Sequence, residues 1–334
     1  MSRSVSEVTD QEMRAVFHMS DKAASEELGV ARSSFSARKN RMLVAGDTDL
    51  EYSGIPEEID TPALLEERKR KFAHKQEYET ATELITCKVK KKGPIGLLFF
   101  GDPHCDDDGT DIGLLEHYGN LTHEVDGLYG CNMGDTTNNW VGRLAHLYSA
   151  QSTSAQEAYA LGEWFIGHVN WLFIISGNHD AWSGVQDPVK WFAKQAGTVH
   201  QTAALRMQLK FPKGEPLIIN ARHNFSGHSQ YHAVHGVKKH AMWGFDDEIY
   251  IAGHKHISGY AIHKQPSGII THAIQVASFE EYSEYAKAQN MRDQKVSSAV
   301  LTIIKPEATR NTDRVSVWHD IEAGVEYLEF LREK

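Results

Sequence analysis

The stretch that decides the fold is Trp171–Asp180, WLFIISGNHD. Trp171 to Ile175 is an apolar run of the length and composition of a strand buried on both faces. It stops at Gly177 and is followed at once by Asn178, His179 and Asp180, residue types that bind metals or move protons. The same arrangement recurs four times outward from it. Ile95 to Phe100 precedes Asp102-Pro103-His104, Leu128 to Met133 precedes Gly134-Asp135, Leu217 to Asn220 precedes His223, and Glu248 to Ala252 precedes Gly253-His254-Lys255-His256. Five strands that end this way line up seven ligands along one sheet edge: Asp102, His104, Asp135, Asn178, His223, His254 and His256. Oxygen and imidazole donors in that number suit two divalent ions, Mn first, with Fe or Zn as alternatives. Two such ions about 3.5–4 Å apart are a means of in-line attack on a phosphate ester. The constellation implies phosphate-ester hydrolysis.

A chain of 334 residues, 41% hydrophobic and 24% charged, is long enough for one large domain and a smaller one. The net charge of −10 gives no global sign of nucleic-acid binding. The charge is uneven. Residues 1–93 hold 16 Lys and Arg against 17 Asp and Glu, whereas 94–334 hold 19 against 28. Cys87, Cys105 and Cys131 form no CxxC pair and read as reduced thiols. The polar start MSRSVSEVTDQEMR lacks the apolar core of a signal peptide, and no apolar run approaches the ~20 residues of a membrane span. The expected location is cytoplasmic, with no membrane partner.

Three segments follow from composition. Residues 1–46 read as a small helical unit whose centre, residues 20–35, has a polar start, the Ala23-Ala24 pair, a Leu-Gly-Val turn and a second helix with Phe35. That pattern resembles a helix-turn-helix. The second helix is basic and free of acid from Val30 to Gly46, so Arg32, Ser33, Ser34, Arg38, Lys39 and Arg41 are its expected DNA contacts, within a contact region spanning 20–43. The competing reading is a helical hairpin for packing or homodimerisation. Residues 47–93 read as an acidic linker, an exposed helix over 62–83 and a solvated Lys88–Lys92 run. From 94 to 334, strands alternate with helices such as Leu144–Val169 and Pro188–Ala196, and a helix over Glu322–Arg332 closes an α/β domain.

The five blocks, in this order, resemble the calcineurin-like metallophosphoesterase superfamily, over roughly residues 94–280. The resemblance implies a four-layer αββα sandwich (α/β, or α+β) with the small helical domain appended. It implies that Asp102, His104 and His256 hold one metal, that Asn178, His223 and His254 hold the second, and that Asp135 bridges them. His179 would be the general acid and Asp180 would orient it, with a hydroxide bridging the metals as nucleophile. In the fourth block, His228, His232 and His235 compete with His223, which follows its strand directly.

The protein Ser/Thr phosphatase branch continues its second block with an arginine that this chain lacks, since Gly134-Asp135 is followed by Thr136-Thr137-Asn138-Asn139. Asn138, Asn139, Arg143 and His228 are the expected substrate contacts instead, and one of Trp140, Trp182, Phe225 and Tyr231 is expected to stack a base. Asp106-Asp107-Asp108 reads as a solvated loop. With the appended helical unit, the best-fitting expectation is a phosphodiesterase or nuclease acting on nucleic acid, like the DNA-repair and phage members of the superfamily. The alternatives are a phosphomonoesterase or nucleotide phosphodiesterase with a dimerising helical unit, and a DNA-binding regulator with an inert fold.

Overall fold

The computed structural model describes residues 3–44, 60–181, 187–229, 231–288, 298–308 and 314–334. The acidic linker and Trp182 fall largely or wholly outside these. The chain divides into two compact units, residues 1–71 and 72–334.

In the first unit, α1 (Asp10–Ala15), α2 (Asp21–Glu27) and α3 (Arg32–Val44) enclose a core of Val8, Met13, Val16, Ala24, Val30 and Phe35. The hydroxyl of Thr9 accepts from the Glu12 backbone N–H while Glu12 reaches back to Thr9, a reciprocal cap that starts α1. Gly29 turns the chain between α2 and α3 at φ 66°, as expected of the one residue without a Cβ penalty there. Two of the expected DNA contacts serve this packing instead. Arg38 donates to the carbonyls of Val5 and Val8 and pairs with Asp10 at 2.7 Å. Lys39 pairs with Asp21 at 3.1 Å beneath the rings of Phe17 and Phe35. Arg32, Ser33 and Arg41 are exposed and Ser34 is half-buried.

Helix α4 (Thr61–Thr82) buries no residue and is studded with pairs such as Lys71–Glu67 and Lys75–Glu79, which suits a polar helix in water. The first strand of the larger unit is β1 (Ile85–Lys88), in a stretch read from sequence as linker. Its Ile85 and Cys87 pack on the main core, which is why it joins a sheet.

One sheet holds β2 (Ile95–Phe100), β3 (Leu128–Asn132), β4 (Trp171–Ser176), β5 (Val199–Thr202), β11 (Ala299–Ile304) and β12 (Val315–Trp318), in the order β12-β11-β2-β3-β4-β5. β2 to β5 run parallel and β11 and β12 are antiparallel additions. The other holds β1, β6 (Ala204–Lys210), β7 (Leu217–Arg222), β8 (Ile249–Ala252), β9 (Gly259–Lys264) and β10 (Ile270–Gln275), in the order β1-β6-β7-β8-β10-β9. Their inner faces share one core. Leu97 and Phe99 of β2 and Phe173 and Ile175 of β4 meet Met207, Ile219, Ile251 and Ile274 of the second sheet. The alternate residues Leu98, Phe100 and Ile174 point the other way. There they meet α5 (Ile112–Glu124), α6 (Ala155–His168), α8 (Pro188–Gln195) and the closing helix α11 (Ile321–Glu333). On the far side, α9 (His235–Trp243) covers Tyr250, Ala252 and Ala273. Two short helices, α7 (Asn178–Ala181) and α10 (Glu284–Ala288), lie in the connections after β4 and β10. The result is the four-layer αββα sandwich.

The stretch read as one helix over Leu144–Val169 is two elements. A 3-10 helix covers Gly142–Ala150, and α6 starts afresh where Ser154 and Glu157 cap each other. Between them Asp108 accepts from the backbone and the hydroxyl of Ser152, which diverts the chain from helical hydrogen bonding.

Candidate metal centre

Parallel strands β2, β3 and β4 in one sheet, and β7 and β8 in the other, bring their carboxyl ends together, the usual place for a site in such sheets. The residues that follow them turn sharply. His104, Asp135, His254 and His256 all have positive φ, between 41° and 70°. Such backbone costs about 1–3 kcal/mol per residue and persists where the surroundings impose it. It folds each side chain back over its own strand end. Gly134 takes φ 103°, whereas Gly177 and Gly253 are required for space. A Cβ on Gly177 would lie 2.1 Å from Asp135 Oδ1, and one on Gly253 2.4 Å from Asp102 Oδ1.

All seven expected ligands converge. The donor atoms of Asp102, His104 and His256 lie within 4.8 Å of one another, as do those of Asp135, His223 and His254, and Asp135 also groups with His104 and His179. In the first set, His256 Nε2 is 3.3 Å from Asp102 Oδ2 and 3.2 Å from His104 Nε2. In the second, His223 Nε2 is 3.1 Å from Asp135 Oδ2, 3.1 Å from His254 Nδ1 and 3.0 Å from Asn178 Oδ1. His223 donates from Nδ1 to the Met133 carbonyl at 2.8 Å, which leaves Nε2 for the centre. His228, His232 and His235 are exposed and stand in neither set.

The electrostatics call for cations. Asp102 is fully buried, and neither of its oxygens has a hydrogen-bond partner, nor has Nδ1 of His104. A buried carboxylate is costly unless it meets a positive charge. Burial opposes a charge on His256, yet Asp102, 3.3 Å from its Nε2, raises its pKa, so an imidazolium stands where a cation is called for. Burial opposes a charge on His223, yet Asp135 and Asp102 hold its proton up to about 10. Burial likewise opposes ionisation of Asp135, but the imidazoles of His223, His179 and His104 keep it well below the carboxylate range. Burial pushes His104 far below its ordinary value, the neutral form that ligates. Mixed carboxylate, amide and imidazole donors fit two divalent ions.

His179 stands beside both sets. Its Nδ1 donates to the Asn138 carbonyl, so Nε2 faces the centre, 3.9 Å from Asp135 Oδ2. Burial lowers its pKa. Trp140 packs edge-on against it at 5.0 Å. Asp180 does not hold the His179 ring, contrary to the expectation from sequence. Its Oδ2 accepts from the backbone N–H of Gly177 at 2.7 Å and of Asp135 at 2.9 Å, and its Oδ1 accepts from Thr136 at 2.9 Å. Burial, and the charge of Asp135, push it up to about 7.

The expected substrate contacts fare unevenly. Asn138 is buried and commits its amide nitrogen to Asp107 and Gln151. Asn139 donates to the His179 carbonyl at 2.7 Å. His228 is exposed, and Arg143 lies in the 3-10 helix. Asp106 is buried rather than solvated and accepts from Asn138 N and Gln151 Nε2, so the acidic run ties loops together. Glu280, unforeseen from sequence, faces Nδ1 of His256 at 3.4 Å, and burial and the charge of Asp107 raise it to about 7. The signal was weak: β10 reads ITHAIQ, half of it polar, and Glu280 follows its end by five residues. Asp102 bridges to Ser278 beside it.

No family model matches the sequence, and no curated protein matches it. Among solved structures, a 5′-nucleotidase precursor from Thermus thermophilus aligns over 72% of this chain and 59% of its own length, at 11% identity and a TM-score of 0.36. An NAD nucleotidase from Haemophilus influenzae aligns over 68% and 50%, also at 11% and 0.36. The chain thus spans between half and three fifths of each.

Proposed function

We propose that the larger unit is a dinuclear metal-dependent phosphoester hydrolase, and that its substrate is a phosphodiester of nucleic acid. The observation that carries the hydrolase reading is the pair of donor sets that meet at Asp135, with the unpartnered carboxylate of Asp102 buried inside one of them. Two divalent ions held there would acidify a water molecule and neutralise phosphate charge. Asp135 can serve both sets, one oxygen each. Asn178 contributes a neutral oxygen, which limits the negative charge an anionic substrate meets. As water attacks phosphorus and the ester P–O bond breaks, His179 in its imidazolium form would pass its Nε2 proton to the departing oxygen and keep its Nδ1 proton on the Asn138 carbonyl. An anionic phosphate beside the ring favours that form against burial. Its Nδ1 bond to the Asn138 carbonyl fixes which nitrogen does so. Asp180 acts on the backbone of the two loops that present Asp135 and His179.

A second reading, a nucleotidase, is favoured by one feature. A pocket of about 200 Å³ beside Trp140, Tyr282 and Glu280 adjoins the centre and is small enough for one nucleoside. Hydrolysis of bis-p-nitrophenyl phosphate and p-nitrophenyl phosphate by manganese-loaded protein, with a chelated control, separates the two. Chelator-sensitive preference for the diester supports the first, preference for the monoester the second, and inactivity on both sinks the hydrolase reading.

A further inference from the structure

Charge around the centre is lopsided. Between Glu215 and Asp246 the chain runs for 30 residues without an acid, while it carries Arg222, Lys238, Lys239 and five histidines. This run includes His223 and α9, so it builds the His223–His254 side of the centre. Lys255, between two ligand histidines, donates from Nζ to the Gly227 carbonyl at 2.7 Å. A Cβ placed on Gly236 would lie 3.1 Å from that Nζ, and one on Gly227 3.7 Å from Lys239 Cδ, so both lysines border one loop. Burial, then the positive charges of Arg222 and Lys239, lower the pKa of His240. Among the described residues, none of Arg222, Lys238, Lys239 and Lys255 forms an ion pair. The opposite flank is acidic, because Asp107, Asp108, Glu280 and Glu284 border the pocket beside Trp140.

The basic side also carries bare rings. Tyr231 is 96% exposed and Trp243 82%, whereas the half-exposed ring of Phe245 is covered on one face by the Arg206 guanidinium at 3.7 Å. Large rings in water beside unpaired cations are the elements of a surface that binds single strands, where cations track the backbone and rings stack bases. Arg222 and Phe245 further line a cleft of about 750 Å³ with Lys190 and Arg206; Glu79 and Glu83 line it too, and Arg206 is paired with Asp247.

We propose that the surface carrying Arg222, Tyr231, Lys238, Lys239, Trp243 and Lys255 is a track for a single-stranded nucleic acid, which approaches the centre from the His223 side. This rests on the phosphodiesterase reading and adds where the strand lies. It also resolves the charge paradox of the larger unit. The net negative charge of residues 94–334 is carried outside segment 216–245, which holds three cations and no acid.

The test is fluorescence anisotropy of the full chain with a labelled single-stranded phosphorothioate oligonucleotide, which resists cleavage, in manganese and over a range of salt. On single strands each phosphate contact adds about 0.7 to the slope of log affinity against log salt. Arg222→Gln combined with Lys238→Gln and Lys239→Gln should therefore flatten the slope by about 2 and weaken low-salt binding about tenfold or more, with the melting temperature retained. Unchanged slope and affinity in that variant, no binding by the native chain, or flattening seen only with Arg32→Gln and Arg41→Gln would overturn the track. So would displacement of the strand by a mononucleotide as effectively as by unlabelled oligonucleotide. The hydrolase reading fails separately: an intact salt slope without diester hydrolysis removes the enzyme and keeps the track, and the reverse result removes the track alone.

Discussion

Asp180→Ala is expected to destabilise the larger unit by about 3–5 kcal/mol. The carboxylate accepts from three buried backbone N–H groups, those of Gly177, Asp135 and Thr136, at 2.7, 2.9 and 2.9 Å. Each donor left unpaired costs about 1–3 kcal/mol, and water that enters the vacated space recovers part of the total. Asp180→Asn is the finer probe. With its carbonyl at the Oδ2 position it keeps the bonds from Gly177 and Asp135, but it turns an amide nitrogen toward the Thr136 N–H, for a loss of about 1–3 kcal/mol. Urea denaturation followed by circular dichroism measures both, with metal content determined in parallel. A carboxylate that oriented the His179 ring would behave differently, with normal stability in Asp180→Asn and a shifted pH profile of turnover. Stability of Asp180→Ala within about 1 kcal/mol of the native chain would refute the backbone-clasp argument.

Other outcomes follow from the same geometry. His179→Asn should lower turnover by about 10²-fold or more while metal stoichiometry stays at the native level; loss of metal in that variant would move His179 into a ligand set. Asp135→Asn should lose both ions by elemental analysis, because both sets meet at its carboxylate. Gly253→Ala should weaken metal binding with little change elsewhere, since its Cβ would press on Asp102 Oδ1 at 2.4 Å; unaltered affinity would mean that Asp102 does not bind in this position. His272 gives a pH signature away from the centre. Burial lowers its pKa from 6.5 to about 4, its Nδ1 accepts from the Tyr260 hydroxyl at 2.7 Å, and its Nε2 has no partner. A depressed histidine contributes stability that is complete above its unfolded value and is lost as pH falls from 6.5 toward 4. The native chain should lose about 2 kcal/mol between pH 7 and pH 5 through this group, and His272→Gln should flatten that part of the stability profile.

Strands legible in the sequence are those buried on both faces. β2, β4 and β8 are unbroken apolar runs because alternate side chains serve two cores. β6 alternates instead, with Leu205, Met207 and Leu209 inward and Arg206 and Gln208 half-buried, and β1 has only Ile85 and Cys87 to show. Such patterns do not separate from loops without the partner strand. The ligands were legible because each follows its strand within a few residues. The family resemblance implied that Asp180 orients His179, and the neighbouring acids suggested that Asp106 is solvated. What decides their roles is the backbone N–H groups that distant loops bring to them. Glycines show the same limit. Gly134 needs its φ, but Gly177 and Gly253 are required by a neighbour's carboxylate that no local pattern reveals.

Four ligand positions in left-handed backbone and an unpartnered buried carboxylate describe a centre that is unfavourable by itself. Each strained residue costs about 1–3 kcal/mol, and the buried carboxylate of Asp102 adds a desolvation penalty that only the imidazoles of His256 and His223, at 3.3 and 3.9 Å, are there to meet. The inter-sheet core has to carry these terms when ions are absent. An ion that binds only the folded chain stabilises it by about 2.7 kcal/mol at a free concentration one hundred times its dissociation constant, and two sites contribute twice over. Manganese should therefore raise the melting temperature in a concentration-dependent way, and a chelator should reverse it. In Asp102→Ala one ligand is lost, so the melting temperature of this variant should be less sensitive to manganese than that of the native chain. A native chain whose melting temperature ignores measured loss of its metal would show that strain and burial at the strand ends serve something other than ion binding.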